Sequence, residues 1–130
     1  MTSIEVPRRL AALLPTLSVL DITDDVQANI TESGRRDGIA FVSAAGGEPC
    51  CVRVNELEAG FFADVEAFLD RIVPSGERDR ERLLLLLLGP RTEHIPFQDG
   101  KLSLGRWQRV LLFGFGHRAR GDWRTSLLGA

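Results

Sequence analysis

The segment DGKLSLGRWQRVLLFGF occupies residues 99–115 and carries the clearest structural signals of the chain. It opens with Asp99-Gly100. An Asp-Gly pair between two β-prone runs favours a type I′ hairpin turn, which requires φ > 0 at both central positions. We therefore predict a hairpin with arms at residues 93–98 and 101–104. From Trp107 to Phe115 most residues are large and apolar, on both faces of an extended strand. A strand covered on both faces lies inside a sheet, so this strand is predicted to be central.

Further strands are predicted where β-prone residues are bounded by turn or capping signals, at residues 17–22, 38–43, 50–54 and 123–128. The last of these is predicted to pair with the central strand at residues 107–115. Near the N-terminus, Val6-Pro7 favours an edge strand or irregular structure, because proline cannot donate a hydrogen bond to a neighbouring strand.

Three helices are predicted. The first spans residues 24–33, with Thr23 as its N-cap and Gly34 as a left-handed residue after its last turn. The second spans residues 58–73 and carries apolar side chains at helical spacing: Phe61, Val65, Phe68, Leu69 and Ile72. The third spans residues 77–88 and ends in six leucines, for which a buried strand is an alternative. The sequence leaves open whether these leucines lie within one subunit or between subunits.

This order of elements predicts a single α+β domain over residues 1–130, with a mostly antiparallel sheet or sandwich and two to three helices. Among the 130 residues, 16 basic and 18 acidic side chains leave a net charge of −2. That balance favours neither nucleic acid nor an anionic membrane as a partner. The longest apolar run, residues 83–88, is far shorter than a membrane span of about 20 residues.

The adjacent cysteines, Cys50 and Cys51, are predicted to be small buried residues of a strand. Neighbouring residues of a strand point to opposite faces, which disfavours a disulfide between the two. We therefore expect a reducing compartment and a cytoplasmic location.

Five segments follow the order and spacing of one family: Asp21-Ile22-Thr23, Glu32-Ser33-Gly34, Val54-Asn55-Glu56, residues 66–74 and residues 95–108. In these segments the chain resembles the YjbQ-like proteins, also called the secondary thiamine-phosphate synthase enzymes. The resemblance covers most of residues 17–130 and is closest at residues 95–108, which end where the family typically reads Leu-Gly-Thr-Trp-Gln. It implies a compact homotrimer with a pocket near the subunit boundaries, lined by histidines and acids that hold a metal or a phosphate. It also implies an activity of some members, which join a pyrimidine pyrophosphate to a thiazole phosphate.

The chain departs from the family at the residues that carry this chemistry. A Pro-His-Thr-Thr/Ser run of the family is replaced by Ala-Gly-Gly-Glu at residues 45–48, and the loop after the second helix is shortened to residues 75–82. The two histidines, His94 and His117, are not at the family's positions. A transition-metal site requires three or four converging ligands. The sequence therefore predicts no metal site and no cofactor.

Glu56 is the candidate catalytic group, because Asn55-Glu56 keeps the family residues. The alternative is structural, namely an acid stabilised at the start of a helix. A general base also needs a partner within hydrogen-bond reach, and the sequence reveals none. Asn55 and Glu56 are predicted to line a ligand pocket, with Glu48 near the place of the missing histidine.

Arg106, Trp107 and Gln108 complete the predicted ligand-binding residues. Arginine makes bidentate contacts with phosphate, so a phosphorylated small molecule is the expected ligand. Arg109 lies among apolar neighbours and requires a partner, for which we expect an acid across a subunit interface.

Two functions remain open from the sequence. One is a non-catalytic or repurposed small-molecule-binding or structural homotrimer that keeps the family scaffold. The other is a thiamine-phosphate synthase-type enzyme that uses Glu56, Gln108 and the nearby arginines. The trimer is expected from the resemblance and from the apolar residues on both faces of residues 107–115.

Overall fold

The computed structural model describes residues 9–45, 50–56, 58–88, 91–115 and 122–130. Within these residues the chain forms two antiparallel four-stranded sheets and three helices, which confirms the α+β fold class. The strands are β1 (Arg9–Leu13), β2 (Leu17–Asp21), β3 (Gly38–Ala45), β4 (Cys50–Glu56), β5 (Thr92–Gln98), β6 (Lys101–Leu102), β7 (Gln108–Phe115) and β8 (Asp122–Gly129). The helices are α1 (Thr23–Ser33), α2 (Ala59–Ile72) and α3 (Arg80–Leu88).

Strand β7 lies inside the first sheet, whose order is β1-β2-β7-β4. This confirms the central strand predicted from its apolar residues, although the strand begins at Gln108 and not at Trp107. Alternate side chains of β7 enter different hydrophobic cores, because successive residues of a strand point to opposite faces. Val110 and Leu112 enter one core, and Leu111, Phe113 and Phe115 enter the other. Both faces of β7 are thus covered within a single chain, so its apolar pattern does not require a subunit contact.

The second sheet has the order β6-β5-β3-β8. Its hairpin turn is the predicted one, because Asp99 has φ 53° and Gly100 has φ 76°. Both values lie in the left-handed region that a type I′ turn demands. The second arm is shorter than predicted and comprises only the two residues of β6.

The predicted partner of the last strand is wrong. Strand β8 pairs with β3 of the second sheet, from Gly38 opposite Gly129 to Ala45 opposite Asp122. Both sides of β7 are already occupied, by β2 and by β4. A strand can hydrogen-bond only two neighbours in a sheet, so β8 cannot pair with β7 in this fold.

Two hydrophobic cores hold the layers together. The first lies between the sheets and includes Val26 and Ile30 of α1, both fully buried. The second lies between the first sheet and the pair α2 and α3, and includes Phe62, Leu69 and Leu84. The first sheet is therefore covered by the second sheet on one face and by two helices on the other.

Helix α1 differs from its prediction at the start and agrees with it at the end. Thr23 is the first helical residue, the preceding cap position is Ile22, and no side chain caps the helix. Thr23 was predicted as the cap, but its hydroxyl is engaged by Asp21 and by the backbone of Val110. Gly34 ends the helix with φ 70°, as predicted.

Helix α2 confirms the second predicted helix, but its buried face is shifted from the predicted stripe. Phe62 and Leu69 are buried, whereas Phe61, Phe68 and Ile72 are about half exposed. The double phenylalanine at positions 61 and 62 offers either residue to the core, and the sequence pattern favoured the wrong one. The exposed apolar side chains therefore need a separate explanation.

Helix α3 settles the alternative left open for the leucine run, which is helical from residue 80 to residue 88. Leu84 is fully buried, whereas Leu86 is 79% exposed. A helix presents its side chains in all directions, so six consecutive leucines cannot all face the same core.

Polar side chains fix α2 and α3 to the start of β2. Glu66 accepts hydrogen bonds from the backbone N–H groups of Thr16 and Leu17. Asp70 forms an ion pair with Arg80 and also accepts a hydrogen bond from the Thr16 hydroxyl. Arg80 in turn donates to the carbonyl of Val73, at 3.0 Å. This network orients the two helices over the first sheet.

We expect Gly38→Ala to lower the free energy of unfolding by about 1–3 kcal/mol, the usual cost of forcing atoms into a packed region. A Cβ at Gly38 would lie 2.0 Å from the carbonyl oxygen of Leu128 and 2.9 Å from the Cα of Gly129. Both atoms belong to the backbone of β8, so the two strands would have to separate. Urea denaturation at fixed protein concentration measures the change.

Gly76→Ala is the matched control, because no atom lies within 4 Å of a Cβ at that position. Its free energy of unfolding should stay within about 0.5 kcal/mol of the wild-type value. Equal effects of the two substitutions would contradict the close approach of β3 and β8.

Candidate functional site

The predicted site residues of β4 and β7 lie side by side at one end of the first sheet. Glu56 is opposite Gln108, and Asn55 is opposite Arg109, in the antiparallel register of the two strands. The fold therefore brings Gln108 beside Asn55 and Glu56, although it lies more than fifty positions after them in sequence.

These residues nevertheless divide between the two faces of the sheet. Asn55 lines a groove on the face that carries α2 and α3. Glu56 and Gln108 follow the alternation of the strand to the opposite face. Glu56 is exposed, and its carboxylate makes no hydrogen bond or ion pair with another described residue. Among the described residues, Glu56 therefore lacks the hydrogen-bond partner that a general base needs.

The loop before β7 holds the remaining predicted ligand-binding residues that the structure describes. The guanidinium of Arg106 lies over the Trp107 ring, 5.0 Å from its centroid, and Trp107 is 67% exposed. The side chain of Gln108 accepts a hydrogen bond from the N–H of Gly105, at 2.7 Å. Gln108 therefore shapes this loop, and the Arg106–Trp107 pair forms an exposed platform beside it. Glu48 and His117 lie outside the described residues.

Arg109 finds its acidic partners within its own chain, which corrects the expected subunit contact. Its Nε donates to Asp21 Oδ2 at 2.8 Å, and its Nη2 lies 3.3 Å from Asp24 Oδ1. Asp21 also accepts hydrogen bonds from the hydroxyl and the N–H of Thr23, at 2.6 and 3.1 Å. The Thr23 hydroxyl accepts from the N–H of Val110 at 2.8 Å, so the network joins β2, α1 and β7.

The pKa of Asp21 is lowered from its ordinary value of 3.8. Burial of the side chain acts to raise this pKa, but the hydrogen bonds from Thr23 and Arg109, with the Arg109 charge, outweigh it. Burial likewise acts to lower the pKa of Arg109, which is nonetheless raised because the carboxylates of Asp21 and Asp24 stabilise its charged form. The pair is thus ionised at neutral pH and holds the first turn of α1 against β7.

A groove of about 240 Å³ lies between the first sheet and the two covering helices. Its lining residues are Arg53, Asn55, Phe61, Val65, Leu87, Leu88 and Phe113. Arg53 and Asn55 supply polar groups from β4, and the remaining residues form apolar walls. Arg53 donates one hydrogen bond to the carbonyl of Leu88, at 2.8 Å.

Arg53 was not among the residues predicted from the sequence to line a pocket. The available signal was its position two residues before Asn55, which places both on one face of an extended strand. Its apolar neighbours in the groove come from α2 and α3, and no local pattern places those helices beside β4.

The surroundings of Cys50, Cys51 and His94 are those of structural residues. Cys50 and Cys51 are fully buried, as predicted, and burial raises the pKa of the Cys51 thiol to about 12. His94 is exposed, and its ring meets that of Phe41 edge-on at 5.1 Å. Within the described ranges, no group of three or more His, Cys, Asp or Glu side chains is arranged to hold a metal ion.

Among the described residues, no helix combines the length and the apolar character needed to cross a lipid bilayer.

Comparisons with known proteins identify the family. A profile of the family described as "UPF0047 protein YjbQ-like" matches residues 15–128. A UPF0047 protein of Archaeoglobus fulgidus is 34% identical, over 80% of this chain and 86% of that protein. The crystal structure of an uncharacterised YjbQ/UPF0047 protein from Clostridium acetobutylicum is similar, with a TM-score of 0.75 and 26% identity over 86% of this chain and 92% of that one. The crystal structure of a protein of unknown function from Sulfolobus solfataricus has the same fold, with a TM-score of 0.76 and 23% identity over 88% of each chain. The chain belongs to the YjbQ-like UPF0047 family.

Proposed function

We propose that this chain is a small-molecule-binding, non-catalytic member of the family that lacks the histidines on which the family's chemistry depends. The ligand is a small phosphorylated molecule with an apolar part, and it binds in the groove beside β4. The observation that carries this proposal is the groove itself, in which Arg53 and Asn55 stand among apolar side chains.

The chemistry of the groove fits such a ligand. Arg53 uses one of its five N–H donors on the Leu88 carbonyl, which holds the guanidinium at the groove. The other donors are unused by the described residues, and guanidinium is the side chain best suited to phosphate. Ligand sites generally combine apolar walls with a few polar groups that fix orientation. A volume of about 240 Å³ suits a small ligand, since drug-sized sites start near 300 Å³.

We expect phenyl phosphate to bind this protein, and Arg53→Met to weaken that binding at least about tenfold. A hydrogen bond to a charged group contributes about 1.5–3 kcal/mol, and 1.4 kcal/mol corresponds to tenfold in affinity. Isothermal titration calorimetry measures the affinity. Benzyl alcohol and inorganic phosphate serve as probes of the apolar part and of the phosphate alone, and each should bind more weakly than phenyl phosphate.

Two controls accompany this titration. Arg53→Lys keeps the charge without the planar fork and should bind phenyl phosphate with intermediate affinity. Arg106→Met removes an exposed arginine of the Trp107 platform and should leave the affinity unchanged. A loss of binding confined to Arg106→Met would move the ligand to that platform and overturn the groove. Equal binding of phenyl phosphate and benzyl alcohol would overturn the phosphate site.

The homotrimer and the cytoplasmic location remain part of the proposal. The family resemblance supports the trimer, for which the light-scattering mass corresponds to three chains of 14.4 kDa, or to a multiple of three. The buried thiols of Cys50 and Cys51 support a reducing compartment.

A thiamine-phosphate synthase-type activity is the second candidate, and one observation favours it. Glu56 and Gln108 are paired across β4 and β7, next to Arg106, so a carboxylate, an amide and a guanidinium occur at one end of the sheet. Rescue of a thiamine-requiring strain, together with metal in the purified protein, would favour this activity. Failure of both would support the non-catalytic proposal.

A further inference from the structure

The outer surface of α2 and α3 carries large apolar side chains that the sheet does not cover. We call this surface the helical apolar face; its exposed members are Phe61, Phe68, Ile72, Leu83, Leu86 and Leu87. Of these, Phe61 and Leu87 lie at its border and also line the groove beside β4. All six are more than a third exposed, and Leu86 is 79% exposed. Three of them belong to the stripe that the sequence pattern assigned to the core.

The size of the helical apolar face approaches that of a protein interface. A phenylalanine buries about 150–250 Å², so six half-exposed side chains of this size or slightly smaller present on the order of 500 Å². The largest apolar patch of a typical monomer is about 300–600 Å² and is often functional. Each partner in a standard interface contributes about 800 Å², most of which this face could supply together with its polar rim.

Two opposite charges flank Phe68 on α2. Asp64 lies one turn before Phe68 and Arg71 lies one turn after it, so all three share one side of α2. Asp64 and Arg71 are exposed, and neither forms an ion pair with another described residue. An acid and a base at similar distances from Phe68 make this side of α2 complementary to its own antiparallel copy.

From these observations we infer that the helical apolar face binds the same face of a second copy of this chain about a two-fold axis. In such a contact each residue meets its counterpart reciprocally. With α2 antiparallel to α2 of the partner and Phe68 near the axis, Asp64 of each chain lies opposite Arg71 of the other.

This inference goes beyond the proposed binding function and is independent of the trimer. If the trimer forms through another surface, the two-fold contact joins two trimers, and the assembly contains six chains. If no trimer forms, the contact produces a dimer. In both cases, breaking the two-fold contact halves the mass of the assembly. The trimer, the two-fold contact and the proposed ligand binding can therefore fail separately.

Charge reversal provides the test. Light scattering after gel filtration should give half the wild-type mass for Asp64→Arg, in which the introduced guanidinium would face Arg71 of the other chain. It should also give half the mass for Arg71→Asp, in which two acids meet. An equimolar mixture of the two variants should regain the full mass, because each new charge then meets its opposite. The variant carrying both reversals should likewise keep the wild-type mass.

Glu32→Arg, an equal change of charge on the exposed side of α1, is the matched control and should leave the mass unchanged. Recovery in the mixture also shows that both single variants are folded. Unchanged mass in both single variants would overturn the two-fold contact. So would a loss of mass that the mixture does not restore, or a wild-type protein that contains an odd number of chains.

Discussion

Arg109→Leu is expected to lower the free energy of unfolding by about 3–5 kcal/mol, the usual cost of removing one partner of a buried ion pair. The Asp21 carboxylate is fully buried, and the Arg109 side chain is only 28% exposed. Without the guanidinium, Asp21 keeps, among the described contacts, only its hydrogen bonds from Thr23. Urea denaturation at neutral pH measures the loss.

The exposed ion pair of Arg36 and Asp99 provides the control, since both side chains are about three-quarters exposed. Arg36→Ala should change the free energy of unfolding by less than about 1 kcal/mol. A similar loss in both variants would contradict the buried character of the Arg109 network.

The pH dependence provides a second readout of the same network. The pKa of Asp21 is lowered in the folded state, so the ionised carboxylate stabilises the fold above its unfolded pKa. This stabilisation is lost as the pH falls from about 3.8 through the lower folded value. The difference between wild type and Asp21→Asn should therefore be constant near neutral pH and shrink below about pH 4. A difference that grew on acidification would contradict this sign.

Phe62→Ala should have a similarly large effect and lower the free energy of unfolding by about 3–5 kcal/mol. Phe62 is fully buried between α2 and the first sheet, and its ring meets that of Phe113 edge-on at 6.0 Å. Its truncation leaves a cavity that the surrounding side chains fill only in part. Thermal and urea denaturation at the same protein concentration measure the loss.

The neighbouring Phe61→Ala is a control of identical chemistry. Phe61 is 46% exposed and lies at the edge of the groove, so truncation should cost about 1 kcal/mol or less. The two variants therefore distinguish the buried face of the structure from the stripe expected from the sequence. A larger loss of unfolding free energy in Phe61→Ala than in Phe62→Ala would instead favour the apolar stripe predicted from the sequence.

The sequence predicted well those features that depend on neighbouring residues. The Asp99-Gly100 turn needs only two residues with positive φ, and β7 needs only a run of apolar residues. Helix α1 ends at Gly34 for an equally local reason. These elements follow from backbone preferences and from the alternation of side chains, both of which can be read in a short window.

Features that depend on distant residues were missed. The pairing of β8 with β3 follows from the occupation of both sides of β7, which no pattern within β8 records. The acidic partners of Arg109 lie on β2 and α1, more than eighty residues earlier. The groove at Arg53 likewise depends on how α2 and α3 cover the sheet. Of the candidate site, the pairing of Glu56 with Gln108 is described by the structure, and ligand binding at these residues remains a prediction.

The pairing of β3 with β8 also has a consequence for the order in which the chain folds on the ribosome. Ile39 lies opposite Leu128, so about ninety residues must be synthesised after Ile39 before this edge of β3 can be covered. Until then β3 exposes a row of unpaired N–H and C=O groups, which can recruit strands of other nascent chains. Completion of the second sheet therefore waits for the synthesis of β8, and folding should be slow because this pairing is so distant in sequence.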